Sequence, residues 1–257
     1  MATIPSNQSL AGRLLARFGY FPKREELDAA RFPDISPEDM QALRAVDEFT
    51  MTSIERRYHL LQAVRYLAKH EIPGAFVECG VWRGGSMMLM ARALKACGDE
   101  NRDLYLYDTF EGMPPPANFD HDFSGQSALS RLEAEENSKT ASRTWAIASL
   151  GEVKQQMGGL GYPAEKIHYV AGKVEATIPS VVPRQIALLR LDTDWYESTA
   201  HELEHLYPLV VKGGVVIIDD YGYWKGARKA VDEFIAKSTD RILLHRVDDT
   251  GRAFVKL

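Results

Sequence analysis

Two apolar runs, each broken off by carboxylates, restrict the fold of this chain more than any other feature. Leu188-Leu189-Arg190-Leu191 runs into Asp192-Thr193-Asp194-Trp195-Tyr196, and Val215-Val216-Ile217-Ile218 runs into Asp219-Asp220-Tyr221. A short unbroken apolar run reads as a strand buried on both faces, as in a parallel sheet. One helix-length segment separates the two, so the strands run parallel and end side by side, with three or four carboxylates on one rim. Crowded acids repel one another, and a hard divalent cation with oxygen ligands is the simplest compensation. Taken singly, each acid reads equally well as a helix cap or a turn residue.

From Gly74 onward strand-like and helical runs alternate. Strands are expected at 75–79, 104–107, 167–170, 186–191 and 215–218, with helices at 86–95, 198–211 and 227–237. This rhythm predicts an α/β fold with a doubly wound, mostly parallel sheet. Ile242-Leu243-Leu244 and Ala253-Phe254-Val255, separated by Asp248-Asp249-Thr250-Gly251, predict a closing hairpin. The stretch 112–148, with three consecutive prolines and several Ser and Thr, interrupts the rhythm after the second strand. It reads as a mobile lid over the ligand crevice or as a plain surface insertion.

Residues 1–72 read as a helical segment packed on the core domain at 73–257. Leu10, Leu14, Leu15 and Phe18 fall at helical spacing before Pro22, Ser36-Pro37-Glu38-Asp39 is a helix start, and a longer helix is expected from Ser53 to His70. Covering substrate, forming a homo-oligomer interface and simple packing are all open uses for these helices.

The 257 residues suffice for one large α/β domain, and a net charge of -5 without a basic stripe argues against nucleic acid or anionic lipid as a partner. Cys79 and Cys97 are the only cysteines, too few for a disulfide framework or a cysteine-based zinc site. A reducing compartment follows. With neither a signal-like N-terminus nor a run of membrane-spanning length, the expectation is a cytoplasmic protein.

The first strand leads through Glu78-Cys79-Gly80-Val81-Trp82-Arg83-Gly84-Gly85-Ser86 into an apolar helix. Glycines let backbone approach a ligand, and a helix N-terminus offers free N–H groups. The spacing is not that of the dinucleotide fingerprint; an acid followed by G-x-x-x-G is the looser pattern of S-adenosylmethionine sites. Asp108, ending the second strand, suits the hydroxyls of a ribose. NAD would use the same acid, so the residues support adenosine and no single ligand. His201-Glu202-Leu203-Glu204-His205 matches a zinc-protease string, but the apolar face set by Leu203, Leu206, Tyr207 and Val210 turns both histidines toward solvent. A zinc site is rejected there.

Phe76 to Ser86, Asp108-Thr109-Phe110-Glu111-Gly112-Met113-Pro114, Leu191 to Thr199 and Asp219-Asp220-Tyr221-Gly222 resemble the macrocin O-methyltransferase (TylF-type) family. The likeness spans about Arg56 to Phe234. It implies a class I methyltransferase fold of seven strands with the last antiparallel, S-adenosylmethionine as methyl donor and a magnesium ion beside it. By position it implies Asp192, Asp219 and Asp220 as metal ligands, Glu78, Gly80, Gly84 and Ser86 around the methionine part, Asp108 on the ribose and Gly172 near adenine. Catechol methyltransferases, and some sugar-methylating relatives, carry Lys or His three residues after the first metal Asp, where this chain has Trp195. Asp194 is therefore the candidate base, the alternative being that it caps the next helix.

The reaction implied is methylation of a hydroxyl on a small, hydroxylated acceptor, a vicinal diol of a sugar or another secondary metabolite. An NAD-dependent oxidoreductase shares the sheet and Asp108 but needs tighter glycine spacing. A non-catalytic scaffold has no reason to keep four desolvated acids.

Overall fold

The computed structural model describes residues 24–257, and the chain divides into two units, 1–44 and 45–257. The helix expected around Leu10 to Phe18 lies outside the described residues. In the first unit, α1 (Arg24–Arg31) and α2 (Pro37–Arg44) are joined through Asp28, whose carboxylate accepts from the Arg44 Nε at 2.8 Å. Helix α2 starts as its sequence directs, with the Asp39 N–H on the Ser36 hydroxyl at 3.1 Å.

The second unit opens with α3 (Ile54–Lys69), capped by Ser53. Its buried stripe of Leu60, Leu61, Val64 and Leu67 packs on α4 (Gly85–Cys97) and on strands β4 (Ile186–Leu191) and β5 (Val210–Ile218). The unit boundary follows Arg44, and α3 lies in the second unit with the sheet.

Seven strands form one sheet in the order β3-β2-β1-β4-β5-β7-β6, with β1 at Ala75–Cys79, β2 at Leu104–Asp108, β3 at Ile167–Ala171, β6 at His245–Arg246 and β7 at Arg252–Val255. The first five run parallel and β7 is antiparallel to β5. The order reverses between β1 and β4, the switch point where such sheets open a crevice beyond their carboxyl ends. Every residue of β1 and β4 is buried, as the unbroken apolar runs require. The closing hairpin is present but pairs only His245 and Arg246 with β7. Ile242 to Leu244 stay outside it: Ile242 and Leu244 turn inward and pack against the main core without joining the sheet, while Leu243 between them is exposed.

The 112–148 insertion carries α5 (Ala128–Ala134) and a 3-10 turn, and is followed by α6 (Leu150–Gly158). It is pinned to the sheet unit. Ala128 and Leu132 pack with Trp195, Trp224 and Ala227, the Trp195 indole donates to the Pro114 carbonyl at 3.0 Å, and buried Asp120 accepts the Tyr196 N–H at 3.0 Å. Beyond the third strand come α7 (Val174–Thr177), α8 (Tyr196–Leu206) and α9 (Lys225–Lys237). Among the described residues no helix is long and apolar enough to cross a membrane.

Candidate active site

The site is assembled by register. Cys79, Leu191 and Ile218 are cross-strand partners at the ends of β1, β4 and β5, so the next residues, Gly80, Asp192 and Asp219, emerge on one rim. The Asp192 N–H donates to the Cys79 carbonyl and the Asp219 N–H to the Leu191 carbonyl, both at 2.9 Å. Gly80 has φ +81, and a Cβ there would stand 1.9 Å from the Asp192 carbonyl oxygen. Only glycine lets the donor-side loop and the acid-bearing strand come this close.

One step back along the strands, Glu78 and Arg190 are direct partners. Side chains two apart on a strand share a face, so Arg190 also meets Asp192. Its guanidinium binds Glu78 Oε1 at 2.5 Å, Asp192 Oδ2 at 2.7 Å and Asp219 Oδ1 at 2.5 Å. The other oxygen of Asp219 takes Arg56 of α3, and the Arg56 Nε reaches Asp248 at 3.0 Å. An alternating chain of charge therefore runs from the β6–β7 turn into the sheet. Burial opposes the Arg190 charge, but Asp192, Asp219 and Glu78 outweigh it and hold its pKa well up.

The two arginines do not balance the rim. Asp192, Asp194 and Asp220 each present a carboxylate oxygen within 4.8 Å of the others. Burial, and then the neighbouring acids, raise Asp192 and Asp220 well above the ordinary carboxylate range, and the same causes push Asp194 up to about 7. Asp194 turns its carboxylate toward those of Asp192 and Asp220 and does not cap α8; the first N–H of that helix is served by Asp120 instead. Glu78 is also pushed up, to about 7, by burial against the opposing pull of Arg190. Its Oε2 is buried without a hydrogen-bond partner and its side chain lines the cavity.

That cavity, about 350 Å³, is walled by Glu78, Ser86, Arg190 and the acids Asp192, Asp194, Asp219 and Asp220. Arg131, Arg143 and Thr144 of the insertion and the rings of Tyr223 and Trp224 form its outer side. A second, smaller cavity of about 50 Å³ holds Gly80, Asp108 and Gly172 and shares Asp192 with the first. The expected donor residues are thus split between two adjoining spaces. Gly84, with φ +85, lines neither; it is the N-cap of α4, where it turns the loop into the helix. Asp108 accepts from the N–H groups of Val81, Trp82 and Phe110 at 2.7, 2.9 and 2.7 Å, so it ties the loop after β1 to the end of β2. Burial raises its pKa and these bonds restrain the rise.

Sequence reasoning passed over four of these groups. Arg190 stood inside the run taken as apolar, although a guanidinium in a strand buried on both faces must find acids. Arg56 sits on a helix with nothing local to mark it, and Asp248 looked like a turn residue. Glu202 was set aside with the zinc string. The zinc-type histidines do not come together as ligands, but they are half-buried and not solvent-facing, His201 meeting the Ile178 carbonyl at 3.0 Å and the His205 ring at 4.4 Å. Glu202 between them is fully buried.

A crevice at the switch point of this strand order, with acids on one side and a glycine turn on the other, defines a class I methyltransferase fold. Residues 38–256 match the family described as Macrocin-O-methyltransferase (TylF). The demethyldecarbamoylnovobiocin O-methyltransferase of Streptomyces niveus is 35% identical over 188 residues, 73% of this chain and 68% of the relative. An O-methyltransferase of Streptomyces olivaceus that acts on the 4′ position of a rhamnosylated tetracenomycin is 33% identical, over 79% of this chain and 73% of that protein. The solved O-methyltransferase NovP superposes with a TM-score of 0.68 at 31% identity, covering 81% of this chain and 82% of its own. The chain belongs to the macrocin O-methyltransferase (TylF) family, and its class of activity is methyl transfer to a hydroxyl.

Proposed function

We propose that the protein transfers a methyl group from S-adenosylmethionine to one hydroxyl of a vicinal diol, on a sugar or other secondary metabolite, with magnesium at the acid rim. One observation carries this reading: a single cavity is lined by Glu78 and Ser86 of the donor loop and by the four acids that end β4 and β5. Two named relatives modify antibiotic metabolites, which supports an acceptor of that kind.

When bound, the donor supplies an electrophilic methyl group. The chain supplies its cradle. The free Oε2 of Glu78 is placed for an ammonium group, and Gly80 and Gly172 line the narrow second space with Asp108. Asp108 Oδ1 takes one backbone N–H at 2.7 Å and keeps lone-pair capacity for a ribose hydroxyl.

An all-oxygen set with uncompensated negative charge fits a hard divalent cation. Asp192 and Asp220 belong both to this set and to the ligands implied by the family, and they would hold the ion. Magnesium bound there supplies Lewis-acid polarisation to the acceptor oxygens. Asp219, gripped by Arg190 and Arg56, keeps both guanidiniums in place and stands one step back from the donor set. Asp194, with its pKa near 7 and its carboxylate beside that of Asp220, is placed to take the hydroxyl proton.

The test is to incubate the protein with methyl-labelled S-adenosylmethionine and glycosylated diol metabolites, before and after chelation. Labelled ether is expected only with metal present. Activity undiminished by thorough chelation overturns the metal, and calorimetry showing NAD bound in preference to the methyl donor overturns the reaction.

A further inference from the structure

We propose that Glu202 is a positioning residue of the acid rim: through its hydrogen bond with the Thr193 hydroxyl it holds the Thr193-Asp194-Trp195 turn and so fixes where Asp192 and Asp194 point. The proposal rests on the acid rim being the place where methyl transfer occurs.

Asp194 has φ +67, and the Trp195 N–H donates to the Thr193 carbonyl at 2.7 Å. An i to i+2 bond closed around a residue of positive φ is a γ-turn of the rarer, strained hand. A residue other than glycine keeps such a conformation only where its surroundings over-determine it. Asp194 is the candidate base, and the strained turn is what lifts its carboxyl out of the path of α8 and onto the rim beside Asp192 and Asp220.

The restraints come from three sides. Before the turn, the Asp192 N–H is fixed on the Cys79 carbonyl at 2.9 Å. After it, the Trp195 indole is held by the Pro114 carbonyl and set edge-on to Trp224, with centroids 4.9 Å apart. Within it, the restraint is Thr193, whose Oγ1 lies 3.0 Å from Glu202 Oε1 and 3.2 Å from Oε2. Glu202 is anchored on α8 between His201 and Leu203, and Leu203 and Leu206 of that helix are in the main core. A rigid helix therefore reaches back and grips the residue between the two acids.

Glu202 has no other evident use. It is fully buried and lines neither cavity. Burial raises its pKa well above the ordinary range, the nearby acids Glu175 and Asp192 add to the rise, and only the Thr193 hydroxyl and the Cys79 thiol oppose it. A buried carboxyl group costs more than an apolar residue of the same size unless its hydrogen bond does something. The bond to Thr193 is what it does.

Crystal structures of the ligand-free variants and their steady-state kinetics test the idea together. Glu202→Met and Thr193→Val remove the bond at similar volume. Asp194 should then relax to negative φ, and kcat should fall about 10- to 100-fold with donor KM within about threefold of wild type. Glu202→Gln and Thr193→Ser keep a bonding partner and should stay within about threefold in kcat. The double variant Glu202→Met/Thr193→Val should be no worse than the weaker single variant, since both cut one bond. Asp194 remaining near φ +67 with kcat unchanged in either bond-breaking variant overturns the proposal. So do Gln and Ser variants as impaired as their apolar counterparts. If Glu202→Met does not fold, Thr193→Val carries the test alone, because Thr193 faces a cavity. The turn is read without donor or acceptor, so a wild-type protein that transfers no methyl would overturn the proposed reaction, while the φ of Asp194 in the variants would still decide whether Glu202 holds the turn.

Discussion

Asp108 and Asp219 both sit at the ends of parallel strands on the same rim, yet their charge is met in different ways. Three backbone N–H groups surround Asp108, whereas Asp219 lies between the guanidiniums of Arg190 and Arg56. Backbone donors are part of the fold and bring no net charge. Guanidiniums bring charge, but only two serve a group of six acids: Glu78, Asp192, Asp194, Asp219, Asp220 and Asp248. The end of β2 is thus locally satisfied, whereas Glu78 of β1 and the acids that follow β4 and β5 share more negative charge than the two arginines supply. Under the proposed function, ribose binding belongs with the first condition, and cation binding and proton uptake with the second.

Four substitutions or measurements would break or sharpen that contrast. Asp194→Asn keeps the shape but cannot take a proton, so kcat should fall by about 100- to 10,000-fold and the acidic limb of the pH-rate profile should flatten. A variant within a few-fold of wild type would remove the base from this group of acids. Arg190→Leu leaves Glu78, Asp192 and Asp219 buried against one another and should cost roughly 3–5 kcal/mol in urea unfolding. Asp108→Ala removes the locally satisfied acid; donor affinity measured by calorimetry should weaken by about 1.5–3 kcal/mol while turnover changes less. Equal loss in kcat would erase the distinction between the two conditions.

The fourth is a pH dependence of stability. Glu78 and Asp194 are both pushed from ordinary carboxylate values to about 7 in the fold. The folded state therefore binds more protons than the unfolded state between about pH 4 and 7, and stability falls as pH rises through that window. The ligand-free protein should melt higher near pH 5 than near pH 8, and Asp194→Asn should shrink the difference while Glu78 keeps part of it. A melting temperature that climbs over this range would show that the spare charge is already neutralised.

The sheet was legible because apolar runs such as Val215 to Ile218 have no other stable use, and the rim because the acids follow those runs at matching positions. What surrounds the acids was not. Arg190 belongs to the same strand as Asp192, but its partners Glu78 and Asp219 come from strands far away in sequence, and register is a tertiary property. The anchoring of the insertion was hidden for the same reason: Asp120 and Tyr196 are 76 positions apart. Its Pro, Gly and Ser content suggested a loose lid, while its fastening depends on Trp195 and Trp224, which lie outside it. Local periodicity overreached at Ile242 to Leu244, three apolar residues in a row that the hairpin leaves unpaired.

The insertion leaves the body of the protein and returns to it at nearly one point, where the Met113 N–H meets the Trp145 carbonyl at 3.0 Å. A segment whose ends meet can be lengthened, shortened or exchanged without redirecting the chain on either side. Arg131, Arg143 and Thr144 on the outer wall of the cavity all belong to it, whereas every acid of the rim belongs to the sheet. Over evolutionary time a lineage could exchange the wall-forming part of this cassette, provided it kept Pro114 and Asp120, whose bonds to Trp195 and Tyr196 fasten the segment beside the acids.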